Sequence, residues 1–279
     1  MGPSKEQGYE TQISFQPLYD GSYDDFTWVG LGSGSGTNLR ECAKLIPPEL
    51  IISNRKNAEL LSLEELADVP KHVIESFPVI GRWSDAEGDP EEEMVYWENL
   101  KCYNEMILEH LTMFELSAGK SIDLLVLGGF MLFVTDPLLS AYQDKIITVH
   151  PADLSKLDAS HQRKYTGKDA LADAIMAGEE ETRSSVILVD ELPDHGEILT
   201  QGAALDVQDY AEIYVHDPNE FFSLYQMMQK RRSDWPALTT ALEYIAEGRF
   251  SLSDKPVFHN EWRQVMLNDL PLPYHGYRP

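Results

Sequence analysis

The stretch that most constrains the fold is residues 26–45, where an apolar run, a glycine-rich loop and a helix-like segment follow one another. Phe26–Leu31 is apolar, and Gly32-Ser-Gly-Ser-Gly leads from it into Thr37-Asn-Leu-Arg-Glu-Cys-Ala-Lys. A second strand-like run, Glu49–Ile52, comes next. The order strand, loop, helix and strand indicates an open α/β sheet.

A glycine loop between a strand and a helix offers free backbone N–H groups and a helix dipole to a phosphate. From Gly32 or Gly34, no third glycine completes G-x-G-x-x-G, and no Gly-Lys-Ser/Thr follows. The second strand ends in Ser53-Asn54-Arg55, without the acidic residue that a dinucleotide ribose requires. The loop therefore favours one phosphate over NAD or ATP, and a plain flexible turn is the alternative.

A second informative stretch, Ser121–Pro151, contains two more strand-like runs, Leu124–Leu127 and Ile146–Val149. In a strand, Thr148 and His150 share a face, and Pro151 stops the ladder just after the histidine. Open α/β sheets carry their chemistry at the carboxyl ends of strands. His150 is therefore either a functional residue or a histidine hydrogen-bonded into the core.

A carboxylate for this histidine is available after the β-branched run Thr182–Val189. The turn that follows reads Asp190-Glu-Leu-Pro-Asp-His-Gly, so that Asp190, Glu191 and Asp194 are all candidates. A carboxylate beside an imidazole sets its tautomer and favours its protonated form. The alternative is a solvated acidic turn.

Residues 1–25 are polar and lack a period, which predicts an N-terminal arm in which Ile13–Leu18 can add a strand. Residues 26–279 contain no linker or repeat and are predicted to form a single domain. Leucine spacing predicts a helix over Asn57–Ala67, and apolar residues at helical spacing predict a long one over Met94–Ser117. The segment Ser84–Glu93 between them is predicted to be a loop.

Composition narrows the class of protein. Hydrophobic residues make up 43% of the chain, as in an ordinary globular protein, and the formal charge is −25. Such a charge argues against binding nucleic acid or anionic membranes. Two explanations of the charge stay open: a high-salt habitat, or simply a very soluble surface.

Targeting and cysteine usage predict a cytoplasmic protein. The start of the chain lacks the apolar core of a secretion signal, and no apolar run reaches the roughly 18 residues of a membrane span. Cys42 and Cys102 are far apart, which argues against a disulfide framework. Because the eight histidines show no ligand spacing, we predict no structural metal. A monomer and a homodimer are equally compatible with these features.

Four motifs in order give the chain a resemblance to the glycinamide ribonucleotide formyltransferases, over about residues 26–277. They are Gly32–Leu39 (GSGSGTNL) with Ser53-Asn54, Leu127–Met131 (LGGFM), His150-Pro151, and Val189–Gly196 followed by Ile198-Leu-Thr-Gln. The ending, GRF…LPLPYHGY, is also similar to that of the family.

The resemblance implies a Rossmann-like, mostly parallel sheet with helices on both faces. It implies formyl transfer from 10-formyltetrahydrofolate to the amine of a small phosphorylated acceptor, with glycinamide ribonucleotide as the first candidate. His150 would handle the proton and Asp194 would orient it. Gly36, Thr37 and Asn38 would hold the substrate phosphate.

The folate pocket is implied to use backbone groups of two segments. Its predicted lining is Met131, Leu132, Phe133 and Val134, together with Val189 and Asp190.

The chain departs from the family's pattern at four places. Thr148 stands where the family has an asparagine that donates to the formyl oxygen, and we count Thr148 as a catalytic candidate because its hydroxyl can donate too. Arg231 stands where the family has a glutamate on the acceptor side. The family's arginine before the long helix is missing, although Arg82 lies upstream, and Ile187 replaces a usual histidine.

These departures leave two alternatives beside the first. Arg231 would suit an acceptor with a carboxylate or a second phosphate, which favours a formyltransferase with a different amine acceptor. Thr148 would suit a catalytically impaired homologue that binds a phosphorylated ligand without formyl transfer.

Overall fold

The computed structural model describes residues 13–210, 216–259 and 261–279. The strands in these ranges are β1 (Phe15–Pro17), β2 (Trp28–Gly32), β3 (Leu50–Ser53), β4 (Lys71–Val73), β5 (Leu124–Leu127), β6 (Ile146–His150), β7 (Glu181–Thr182), β8 (Ser185–Leu188), β9 (Ile198–Gln201), β10 (Leu205–Asp206), β11 (Phe250–Phe258), β12 (Trp262–Leu267) and β13 (Leu270–Pro271).

The helices in the described ranges are α1 (Thr37–Leu45), α2 (Phe77–Ile80), α3 (Trp83–Ala86), α4 (Pro90–Ala118), α5 (Leu138–Ala141), α6 (Ala170–Met176), α7 (Pro218–Gln229) and α8 (Trp235–Ala246). A π-helical turn, Lys230–Asp234, joins α7 to α8. None of these helices is long and apolar enough to cross a bilayer.

The main sheet has the strand order β4-β3-β2-β5-β6-β8-β9. Pairing is parallel from β4 to β6, and β8 and β9 are antiparallel additions. The chain runs outward from β2 to β4 and then returns to β5, so the strand order reverses between β2 and β5. Ligands of open α/β sheets bind at such a reversal, outside the carboxyl ends of the strands.

Apolar side chains cover both faces of this sheet, which confirms the predicted fold class. On one face, buried residues of β2 and β5 such as Trp28 and Val126 pack with Leu39 of α1 and Leu242 of α8. On the other face, alternate residues of the same strands pack with the buried stripe of α4 that includes Tyr103. This alternation is the period-2 pattern of a strand buried on both sides.

The long helix α4 begins earlier than predicted. Asp89 accepts hydrogen bonds from the backbone N–H groups of Glu91 and Glu92, and Pro90 occupies the first helical position. The predicted loop over Ser84–Glu93 is therefore wrong, because it contains most of α3 and the first turn of α4.

The predicted helix over Asn57–Ala67 is also wrong: two short 3-10 turns, Glu59–Ser62 and Glu64–Leu66, replace it. Leu63 between them is extended, with φ −65° and ψ 130°. The Leu60 amide donates to the carbonyl of Gly34 instead of to its own helix, and this bond ties the segment to the glycine loop.

A second sheet, of order β1-β11-β12-β13, is antiparallel. The strand expected in the N-terminal arm is confirmed, because Phe15–Pro17 pairs with residues 251–253 of β11. This pairing ties the described end of the arm to the carboxyl-terminal part of the chain.

Candidate active site

His150 lies at the carboxyl end of β6, where only 6% of its surface is exposed. Its Nδ1 is 3.2 Å from Oδ1 of Asp194. Its Nε2 is 3.1 Å from the carbonyl oxygen of Tyr165. The sequence-predicted histidine and one of the three candidate carboxylates are thus brought together, and Asp190 and Glu191 are not the partners.

Asp194 is held in place by backbone groups. Its Oδ2 accepts a hydrogen bond of 2.7 Å from the Gly167 N–H, and its φ of +52° is in the left-handed region that aspartate tolerates. Burial alone would raise the pKa of this carboxyl. The hydrogen bond and charge of His150, the Gly167 N–H and the charge of Arg163 outweigh burial, so the pKa lies below its ordinary value. Asp194 is therefore a carboxylate at neutral pH.

Arg163 fixes the loop that carries Asp194. Its guanidinium donates to the carbonyl oxygens of Asp194 at 2.5 Å and Gly196 at 2.9 Å, and it lies 5.2 Å from the centre of the Trp262 ring. Local sequence patterns could not identify this residue, since its partners are backbone groups 31 and 33 positions away.

Gly196 closes the same loop through a close backbone approach. A Cβ at this position would lie 1.9 Å from the carbonyl oxygen of Leu188, so no other residue fits without moving the strand end. The acidic turn is therefore a built element that holds Asp194 against β6.

His195 anchors the loop on its outer side. Its Nδ1 is 2.6 Å from Oδ2 of Asp190, and its Nε2 is 2.9 Å from Oε1 of Glu261. The hydrogen bond to Asp190 is the largest influence and, with Glu261, raises the pKa of His195 against the opposing effect of burial. The carboxylate of Asp190, predicted to line the folate pocket, is thus engaged with His195.

We expect His195→Gln to weaken the fold most below the ordinary histidine pKa. A raised pKa in the folded state contributes stability that is complete below the unfolded value and is lost as pH rises through the folded value. The free energy of unfolding should fall by about 1–2 kcal/mol near pH 5.5, and by less near pH 9. Urea denaturation at both pH values measures this, with His72→Gln, an exposed site on β4, as the control. Equal losses at both pH values would exclude the ion pairs as the cause.

Thr148 lies two residues before His150 on β6, between Leu127 and Ile187 of the neighbouring strands. Its hydroxyl is directed at the Leu127 carbonyl oxygen at 3.4 Å, a long hydrogen bond. The side chain is half-buried. Its hydrogen is thus already shared with a backbone acceptor.

The three predicted phosphate residues meet at the start of α1. Gly36 precedes the helix with a φ of +67°, and Leu60 packs where its side chain would be. Thr37 and Asn38 form the first turn, whose N–H groups are unpaired within the helix. Oδ1 of Asn38 is buried without a hydrogen-bond partner in the described structure. The geometry is that of an anion site at a helix N-terminus.

The predicted folate segment lies across from this loop. The Met131 N–H donates to the Ser33 hydroxyl at 3.0 Å, while 66% of Met131 and 49% of Phe133 is exposed. Leu132 is half-buried and Val134 is buried. Val189 is half-buried and packs against the core beneath α4, so the two predicted folate segments approach the same face of the sheet.

A cleft of about 680 Å³ opens between the glycine loop and the predicted folate segment. Its lining includes Ser33, Met131 and Leu132, and the basic residues Arg55 and Arg82. The cleft therefore lies at the strand reversal and presents positive charge in an acidic protein.

Arg231, the predicted acceptor-side residue, is exposed on the π-helical turn. The buried members of that turn are Ser233 and Asp234. Sequence analysis missed Asp234, because a helix of regular pitch gives no sign that an extra residue rotates this position inward.

Comparison with known proteins identifies the class. The model of the family described as Formyl transferase matches residues 31–212, more than half of the chain. The chain belongs to this family.

Two curated relatives are phosphoribosylglycinamide formyltransferases. The one from Bacillus subtilis (strain 168) is 26% identical over 210 residues, which cover 73% of this chain and 87% of that protein. The one from Haemophilus influenzae is 25% identical over 254 residues, covering 88% and 95%.

Solved structures agree on the fold. Phosphoribosylglycinamide formyltransferase from Coxiella burnetii superimposes with a TM-score of 0.62 at 24% identity, over 91% of this chain and 98% of that one. A formyltetrahydrofolate deformylase from Pseudomonas syringae gives 0.54 at 16% identity, over 88% and 67%. At these identities the likeness concerns the architecture.

Proposed function

We propose that this formyltransferase moves the formyl group of 10-formyltetrahydrofolate to the amine of glycinamide ribonucleotide, a step of purine biosynthesis. The observation that carries the proposal is the pairing of His150 with Asp194 at the carboxyl end of β6. The relatives with this printed activity match most of the chain.

The proton is the part of the reaction that these residues serve. As the acceptor nitrogen bonds to the formyl carbon it must lose a proton, and the departing folate nitrogen must gain one. His150, with Asp194 at its Nδ1, has the arrangement of a general base that becomes a general acid. The charge on Asp194 stabilises the imidazolium between the two transfers.

The formyl oxygen gains negative charge during transfer and needs a hydrogen-bond donor. We assign this role to Thr148 together with the protonated His150. Because the Thr148 hydroxyl is directed at the Leu127 carbonyl, it must rotate to donate to the substrate.

The two substrates would approach from opposite sides of the strand reversal. The start of α1, with Gly36, Thr37 and Asn38, would take the acceptor's phosphate against the negative field of the whole protein. The cleft beside Met131 and Leu132 would take the donor, whose carboxylates suit its basic lining.

The proposal is tested with purified protein and both substrates, by the release of tetrahydrofolate. Thr148→Asn should raise kcat about tenfold, since an asparagine amide has two hydrogens and can bond the Leu127 carbonyl while still donating to the formyl oxygen. Thr148→Val, which keeps the shape and removes the hydroxyl, is the matched control and should lower kcat. A lower rate for Thr148→Asn would mean that the threonine hydroxyl is itself the fitted donor.

A further inference from the structure

The carboxylate of Asp234 belongs to the helical connection between α7 and α8, yet only 4% of the residue is exposed. It follows Arg231 and Arg232, which are both exposed. The π-helical turn Lys230–Asp234 adds a residue to the helical turn, and this rotates Ser233 and Asp234 toward the sheet. Such insertions are frequent at functional sites.

The sheet residue that receives Asp234 lies next to the partner of His150. His150 pairs with Ser185 across β6 and β8, and the neighbouring Ser184 donates its hydroxyl to Oδ1 of Asp234 at 2.5 Å. The Ser184 N–H donates to the Ser233 hydroxyl at 2.9 Å. The π-helical turn is therefore fastened to the strand beside the histidine.

A second contact links the same helix to the residue after the histidine. The Gln229 side-chain amide donates to the Pro151 carbonyl oxygen at 2.7 Å and to the Ser184 hydroxyl at 3.2 Å. Gln229 and Ser184 are both buried. The polar network thus runs from Asp234 through Ser184 and Gln229 to the end of β6.

The charges around His150 then come from two sides. Asp194 faces it from the loop after β8, with Arg163 behind that loop, and Asp234 interacts with it electrostatically from the π-helical turn. The charged groups that act on Asp234 are His150 and Lys230. Burial raises the pKa of Asp234, and the Ser184 hydrogen bond, Lys230 and His150 oppose that rise.

We propose that Asp234 is a positioning residue for the formyl transfer: with Asp194 it forms a pair of carboxylates flanking His150, and its negative charge favours the protonated imidazole. This inference rests on the proposed function, in which His150 carries the proton. It assigns the acidic group of this helix to a buried position three residues after Arg231.

The test replaces Asp234 by asparagine, which keeps the shape and can still accept the Ser184 hydrogen bond while removing the charge. NMR titration of the labelled His150 imidazole, in the full-length protein without substrates, reports its protonation directly. We expect the midpoint of that titration to fall by about half a pH unit or more. Glu220→Gln, an exposed loss of the same charge on α7, is the control and should leave the midpoint unchanged.

Should Asp234→Asn fail to fold, Ser184→Ala keeps the question answerable. Without the hydroxyl, the carboxylate of Asp234 is less stabilised, so the midpoint should fall in the same direction by a smaller amount. The pH profile of kcat should shift with the midpoint while KM stays near the wild-type value. A folded Asp234→Asn protein with the wild-type midpoint would overturn the proposal. Because the titration needs no turnover, that result differs from a failure of the proposed reaction.

Discussion

Replacing His150 by alanine should lower kcat for formyl transfer by at least about 10³-fold. The imidazole is the group placed to accept the amine's proton and to return one to the folate nitrogen, and a positioned acid–base group contributes typically 10²–10⁴-fold. Its removal also leaves Asp194 as a half-buried carboxylate without its partner. Tetrahydrofolate release under saturating substrates measures the loss.

His110→Ala is the matched control, since His110 is exposed on α4. It should keep the wild-type rate. Circular dichroism and thermal unfolding of both variants separate lost chemistry from lost structure. If folded His150→Ala retained the wild-type kcat, the proton would be handled elsewhere and the assigned site would be wrong.

Asp194→Asn should lower kcat by about 10²–10³-fold with little change in KM. The amide fits the left-handed backbone at this position and can still accept from the Gly167 N–H, so the loop should remain in place. What it loses is the charge that stabilises a protonated His150 and selects its tautomer. Steady-state kinetics at several pH values measure the effect.

The change at position 194 also has a stability signature with a defined sign. The lowered pKa of Asp194 contributes stability that is present above the ordinary carboxyl pKa and is lost as pH falls through the folded value. The asparagine variant should therefore be less stable than wild type at neutral pH and approach it in acid. Glu191→Gln, exposed on the same loop, should change neither kcat nor this dependence.

Much of the fold follows from local patterns in the sequence. The apolar runs at β2, β5 and β6 are buried on both sheet faces, so their strands could be predicted without knowledge of distant contacts. The predicted helix over Asn57–Ala67 fails because Leu60 bonds the glycine loop, and a tertiary contact of this kind overrides helix propensity.

The candidate site could be predicted only where one residue and its strand end carry the information. His150 and the glycine loop belong to this class. The choice of Asp194 among three nearby acids depends on the loop geometry that Gly196 and Arg163 impose. Asp234 depends on a π-helical insertion, which alters which residues of the helix face inward.

Transfer of an isotopically labelled formyl group tests the central claim most directly. The wild-type protein is supplied with glycinamide ribonucleotide and 10-formyltetrahydrofolate that carries ¹³C in its formyl group, and the products are analysed by mass spectrometry. The account predicts that the label appears on the acceptor amine in step with tetrahydrofolate release, and that neither product forms with His150→Ala. Label recovered as free formate, or no loss of label from the donor, would contradict it.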